Sequence, residues 1–235
     1  MEQIGTALQM AKGFADAVLL KPLGELGGIL SDTIGYWRLK NQVRLMVKAK
    51  EWLEQKKVDP AKVLPDIFVP ILDEGSKVED EQLSDMFASL LASHLDSKTQ
   101  DRVHPSFPKV LSQLSPLDAR EMVEFRKRAS DKEYRSLGLR GGVLTVKMIA
   151  ELLGMSEAQA YLSALNLHRL GIIQHVGYKP PAKHPMPTFF EDIAAHQEYR
   201  VSEYGIVFCD ACHRFEDDTM AYYPKYDQRH VEPSA

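Results

Sequence analysis

Residues 145–176, TVKMIAELLGMSEAQAYLSALNLHRLGIIQHV, decide the fold class of the C-terminal part of this chain. Thr145 stands before an apolar-periodic run, Val146 to Leu153, as an N-cap whose hydroxyl oxygen can accept an orphan amide of the first turn. Gly154 supplies a turn, Ser156 is a second cap, and the pattern that follows predicts a longer helix ending at Leu170 and Gly171. Ile172, Ile173, Gln174, His175 and Val176 then read as a strand. Helix, turn, helix and strand in this order form the core of a winged helix. Lys179, Pro180 and Pro181 through Pro187 read as its wing loop, Tyr199 to Val201 as the return strand and Gly205 to Phe215 as a closing helix. The residues after Glu216 lack periodicity and read as a tail.

Working outward from there, Ser115, Pro116 and Asp118 give an N-cap, a first-turn proline and an acid in order, which predicts a helix to about Arg128. Glu79, Asp80 and Glu81 crowd acids into the start of another helix, whose apolar face is Leu83, Met86, Phe87, Leu90, Leu91 and Leu95. A shorter helix over Pro65 to Gly75 carries the core stripe Ile67, Phe68, Ile71 and Leu72. Pro70 is expected to kink or divide it and Gly75 to cap it. Ser31 is the expected cap of a long helix through Lys57, with Ile34, Trp37, Asn41 and Arg44 on one side and Leu39, Val43, Met46, Lys50 and Leu53 on the other. From Ile4 to Ile34 apolar residues recur at helical spacing, with Pro22 expected to end the first helix near Leu20. Gly24 and Gly28 form a GxxxG pair, but Lys12, Asp16, Lys21, Glu25 and Asp32 break the apolar run, so tight helix packing in water is favoured over membrane insertion. The expected architecture is mainly α: a multi-helix domain over residues 1–132, a winged-helix-like domain with a small β wing over 140–215, and an irregular tail over 216–235.

The chain has 235 residues, 44% hydrophobic and 26% charged, which is ordinary for a globular protein. A formal net charge of −4 gives no global attraction for nucleic acid or anionic lipid, so any such binding needs a local patch. Charge is segregated: Tyr36 to Lys57 holds seven Lys and Arg against two Glu, and Val58 to Gln100 holds three Lys against nine Asp and Glu. Those two segments are expected to face each other or partner surfaces. Two cysteines and the absence of a signal-peptide pattern point to a reducing cytoplasm.

Four constellations invite a function, and each has a plainer reading. Cys209, Asp210, Ala211, Cys212 and His213 match the CxxCH pattern of haem attachment, but Ile206, Val207, Cys209, Ala211 and Cys212 form one apolar helix side, so a buried structural pair is favoured. A zinc half-site with His184, His196 or His213 lacks a second ligand pair at diagnostic spacing, and no cofactor or metal is expected. The second helix of the helix-turn-helix offers one cation, Arg169, offset by Glu157. With Lys179 and Lys183 in the wing, these are the candidate nucleic-acid contacts, and the near-neutral balance disfavours DNA in favour of protein contact. The basic helix with Arg38, Lys40, Arg44, Lys48 and Lys50 reads as a solvated face, a lid over the acidic Glu79 to Asp85 helix, or a site for an anionic surface with Tyr36 and Trp37 as anchors. No nucleophile elbow, phosphate loop or metalloprotease pair appears. Asp80 with Asp85, and Glu81 with His94, are explained by the helix dipole, so no catalytic residue is expected.

The order Gly35, Tyr36, Trp37, Arg38, Leu39, Lys40, Asn41, Gln42, Val43, then Val78, Glu79, Asp80, Glu81, then Leu114, Ser115, Pro116, Leu117, Asp118, resembles the Abi-alpha (abortive infection alpha) family over about residues 20 to 215. The resemblance implies a bacterial phage-defence setting. The leading expectation is a cytoplasmic defence protein that acts by self-assembly or by binding a protein partner, with Trp37, Arg38, Lys40, Asn41 and Arg44 as candidate interaction residues. The alternatives are a membrane-associating effector, peripheral at the inner membrane, using the Gly-rich N-terminal helices and the basic helix over 36–57, and a winged-helix nucleic-acid-binding regulator.

Overall fold

A computed structural model of the chain describes residues 2–19, 33–63, 65–130, 142–178 and 194–213. Pro22, Gly24, Gly28, Ser31, the expected wing loop with Lys179, His184 and Lys183, and the tail from Glu216 onward lie outside the described residues. The elements run α1 (Glu2–Val18), α2 (Thr33–Gln55), α3 (Pro65–Gly75), α4 (Glu81–Leu95), a 3-10 turn (Gln100–Arg102), α5 (Phe107–Leu111), α6 (Pro116–Ser130), β1 (Leu144–Thr145), α7 (Val146–Leu153), α8 (Glu157–Arg169), β2 (Ile173–Tyr178), β3 (Gln197–Val201) and α9 (Glu203–Cys212). The protein is mainly helical, with one small antiparallel sheet in the order β1-β3-β2.

α4 is the hub of the fold. Asp80 caps it, its carboxylate accepting from the Leu83 amide at 2.9 Å, and α2, α3, α5, α6 and α9 all pack on it. The sequence predicts one apolar face, and Leu83, Met86, Phe87, Leu90, Leu91 and Leu95 are indeed buried, but so are Ser84, Ala88, Ser89 and His94. A helix packed over most of its circumference needs small residues where its neighbours come closest, which the alternation of serine and alanine with large side chains provides.

α3 is not divided at Pro70, and Gly75 plays a different part from the one expected. Pro70 lies inside one continuous helix. The amide that Pro70 lacks would have served the carbonyl of Asp66, in the exposed first turn, where a missing helical bond costs least. Gly75 is the last helical residue and is buried, and its role is close approach: a Cβ there would stand 2.7 Å from Leu45 Cδ1 and 2.9 Å from Phe87 Cγ. α1 reaches the rest through Ala11, Phe14, Ala15 and Val18, and a parallel bridge pairs Leu19 with Val63.

The helix-turn-helix forms as its caps predict. Thr145 accepts from the Met148 amide at 3.2 Å, Gly154 takes the left-handed conformation (φ 63°), and Ser156 and Gln159 form a reciprocal capping box at the start of α8. β2 and β3 pair from Ile173 with Val201 to Tyr178 with Gln197, with an irregularity between His175 and Gly177. β1 pairs Leu144 with Tyr199 on the other edge of β3.

α9 carries the chain back from the sheet onto α4 and α6. Phe208, Cys209, Ala211 and Cys212 enter the core, and the Phe107 ring meets Tyr204 and Phe208 edge-on at 5.5 and 5.2 Å. Among the described residues, buried hydrophobic side chains from both sides of residues 132–140 belong to one cluster that runs from Ala11 to Cys212.

Candidate interaction surface

The basic face of α2 is the strongest charge feature of the sequence, and Arg38, Arg44 and Lys48 on it are turned toward α3 and α4. The Arg38 guanidinium pairs with Asp73 and donates from Nε to Ser76 Oγ at 3.2 Å. Asn41 donates to the Ser76 carbonyl at 3.0 Å, Arg44 to Ser84 Oγ at 2.6 Å, and Lys48 pairs with Asp85. This is the lid reading of the basic helix, realised against α3 and α4. The hydrogen-bonded Lys77 ammonium, aided by the charge of Arg38, holds the Asp73 carboxyl below its usual range. Of the candidate interaction residues, Arg38, Asn41 and Arg44 are engaged within the chain, Trp37 is half-buried, and Lys40 is exposed. Side chains in the Arg38–Asp73 and Lys48–Asp85 pairs remain 25% to 48% exposed, so screening limits their worth. Replacing Arg38 or Lys48 by methionine is expected to lower stability by less than about 1 kcal/mol each in urea melts, and a loss of several kcal/mol would contradict this reading.

The acid pairs weighed for catalysis are likewise occupied or separated. Asp80 caps α4 and Asp85 holds Lys48. The Glu81 side chain is 84% exposed, whereas His94 is buried with neither ring nitrogen bonded, and burial pushes its pKa down against the pull of Asp66. Cys209 and Cys212 are buried and unbridged, and burial pushes both thiols up, which makes them poor nucleophiles and metal ligands. Among the described residues no group of three or more His, Cys, Asp or Glu side chains is placed to hold a metal ion.

A buried polar junction joins α6 to α8. Ser115 and Asp118 cap α6 reciprocally, the Ser115 amide donating to Asp118 Oδ2 at 2.7 Å and the Asp118 amide to Ser115 Oγ at 3.1 Å. The same carboxylate accepts from the Ser163 hydroxyl at 2.6 Å and from Asn166 Nδ2 at 2.9 Å. One turn on, Glu121 is fully buried and neither carboxyl oxygen has a hydrogen-bond partner. Burial, with the charge of Asp118 beside it and against a weaker pull from Ser163, raises its pKa to about 8. Sequence reading passed over Glu121; the signal available was its place three residues after an acid that itself faces the next helix.

Two open clefts flank α9. One, of about 530 Å³, lies among Trp52, Glu81, Asp85, Met86, Cys212 and His213. The other, of about 460 Å³, lies among Arg102, His104, Phe107, Glu203, Tyr204 and Val207.

The outer face of α8 is what the packing leaves unused. Ala160, Ser163, Ala164 and Leu167 turn inward, while Ala158, Leu162, Leu165 and Arg169 face solvent. Leu162 is 67% exposed and Leu165 39%, and Leu152 at the end of α7 is 45% exposed. Arg169, a candidate nucleic-acid contact, donates to Asn166 Oδ1 at 2.8 Å and to Gln113 Oε1 at 3.2 Å. Lys179 and Lys183 lie outside the described residues, so the structure brings neither to this face. The sequence signal for the two leucines is their helical position, since both fall on the side opposite the buried stripe Ala160, Ser163, Ala164 and Leu167.

Most of α2 and all of the elements from α3 to α9 fall within one match: a family model, abortive infection alpha, aligns with residues 40–212. The chain belongs to the abortive infection alpha family. Comparison with curated proteins and with solved structures finds no match. In this abortive infection alpha protein the match opens at Lys40 within α2 and closes at Cys212, the last residue of α9. It therefore spans the lid contacts from Asn41 onward, the polar junction and the α8 face, and leaves α1 outside. No helix among the described residues is long and apolar enough to cross a membrane.

Proposed function

We propose that this abortive infection alpha protein serves defence by binding a protein through the outer face of α8, and not by turning over a substrate. The observation that carries the reading is Leu162, 67% exposed in the middle of a well-capped helix, with Leu165 beside it on the same face. We read β1, α7, α8 and the β2–β3 hairpin as a winged-helix-like module. In such a module the second helix of the helix-turn-helix reads nucleic acid when it presents cations and amides, because phosphate contacts supply most of the affinity. Here that helix presents leucines, and large aliphatic side chains kept in water along a helix face suit a protein partner.

The two alternatives draw less support. The membrane reading needs the cations of α2 free, and Arg38 and Lys48 face Asp73 and Asp85 instead. The nucleic-acid reading rests on Arg169, whose guanidinium is engaged by Asn166 of its own helix and by Gln113 ahead of α6.

The test is a phage challenge of cells carrying the intact chain or the Leu162→Glu variant, read as efficiency of plating. Because Leu162 is mostly in solvent, the variant is expected to keep its expression level and its melting profile while losing protection by at least about tenfold, the factor that corresponds to 1.4 kcal/mol of binding. Full protection by a folded Leu162→Glu protein would remove α8 as the functional surface.

A further inference from the structure

We infer that the partner of the α8 face is a second copy of this chain, seated antiparallel across a two-fold axis between Leu162 and Leu165. The inference rests on the reading of α8 as a binding surface and adds the identity of what it binds.

The exposed stripe runs Ala158, Leu162, Leu165, Arg169, so its steps are four, three and four residues. That spacing reads the same in both directions. A two-fold axis through the middle of α8 therefore lays Leu162 of one copy on Leu165 of the other, twice, and lays each Arg169 on the opposite Ala158. A self-complementary patch is what a closed, isologous dimer requires, because every contact must occur in duplicate. The small side chain of Ala158 leaves room for the aliphatic stem of the arginine, which covers apolar surface while its head keeps its bonds to Asn166 and Gln113 at the exposed edge.

Charge follows the same symmetry. Glu157 is exposed in the first turn of α8, and His168 and Arg169 are exposed in its last turn. Antiparallel pairing brings the acidic start of one helix beside the basic end of the other, at both ends of the interface, and opposes the two helix dipoles favourably. A parallel arrangement would set Glu157 against Glu157 and Arg169 against Arg169. A nucleic-acid partner gains nothing from the leucines or from Glu157, and the helix-to-helix arrangement uses every exposed residue of the stripe.

One helix pair covers less than the roughly 1,000 Å² that a lasting interface clears, so the dimer is expected to be weak, with a Kd of about 10–100 µM. It is tested by sedimentation velocity of the full chain across a concentration series spanning that range. The wild type is expected to shift from monomer to dimer, and Leu162→Glu to remain monomeric with an unchanged melting profile. Glu157→Arg and Arg169→Glu, each alone, are expected to weaken association at least about threefold, because like charges then meet at both ends. An equimolar mixture of those two variants is expected to regain it, since each end of the mixed dimer again pairs opposite signs. A merely local role for either residue would not produce that rescue.

A wild type that stays monomeric throughout, a dimer indifferent to Leu162→Glu, or a mixture with no rescue would each overturn the inference. If the wild type is monomeric and Leu162→Glu still abolishes protection, self-pairing fails while binding through α8 stands. If self-pairing behaves as expected and Leu162→Glu protects fully, the dimer stands and the functional reading fails.

Discussion

Gly205→Ala is expected to lower the stability of the folded chain by more than about 3 kcal/mol, the range reserved for steric conflict within a packed core. Gly205 sits in the first turn of α9, where its amide donates to the hydroxyl of the cap residue Ser202 at 2.8 Å. A Cβ on it would fall 1.9 Å from the carbonyl oxygen of Ile172 and 2.8 Å from the carbonyl carbon. That carbonyl is already fixed, accepting from the Ser202 amide at 2.9 Å, and it is backbone, so no rotamer change relieves the clash. The helix must lift from the junction between α8 and β2. Lifting it withdraws Phe208 and Cys209 from the core and strains the buried pair of Arg126 Nε and Asp210 Oδ1, now at 2.6 Å, whose charges are costly to leave apart. Urea denaturation of the two proteins measures the difference; a midpoint shift worth under 1 kcal/mol would mean that α9 meets the sheet differently.

The second large effect has the opposite sign. Glu121→Gln is expected to stabilise the protein at pH 8 by about 3–5 kcal/mol and to leave it nearly unchanged at pH 4, since one pKa unit is worth about 1.4 kcal/mol. The folded pKa of Glu121 is raised from 4.5 to about 8, chiefly by burial. In the folded chain the carboxyl therefore keeps its proton through neutral pH, whereas the unfolded chain gives it up above 4.5. The stability contributed by the protonated group is fully present below pH 4.5, falls progressively between 4.5 and 8, and is gone above the folded pKa. Glutamine has no proton to lose, so the two stability curves should meet at the acid end and separate as pH rises. Curves that stay parallel from pH 4 to 8 would show that Glu121 ionises in place.

How much of this was legible in the residues varied with how local the cause was. The helix-turn-helix was readable because Thr145, Gly154, Ser156 and Gln159 act within three or four positions of themselves, and the start of α4 was readable for the same reason. The segregation of cations in α2 from acids in the next segment gave the lid as one of three readings, and only packing selected it, by bringing Asp73, Ser84 and Asp85 opposite Arg38, Arg44 and Lys48. The burial of Ser84, Ala88 and Ser89 was not readable, because it depends on how many neighbours surround α4. Gly75 was given the wrong reason, a cap in place of a close approach, since a glycine carries no mark of which of its two uses applies. Trp37 and Lys40 remain candidate interaction residues, one half-buried and one exposed. Glu121 and Leu162 went unremarked because each is unusual only in its environment, an acid without water and a leucine with it.

The return of α9 to the first half of the chain sets an order of events during synthesis. The Ser93 hydroxyl donates to the carbonyl of Ala211, 118 residues later, and Arg126 waits for Asp210. Until the ribosome has delivered residues 203–212, α4 and α6 keep an uncovered flank and the Arg126–Asp210 pair cannot form. Contacts of such long sequence separation close late and slowly. A chain built this way cannot close its core before α9 is delivered: a nascent chain halted at α8 would display its leucines on an unfinished core, as a substrate for proteases and chaperones, and only a chain that includes α9 would present them on a rigid support.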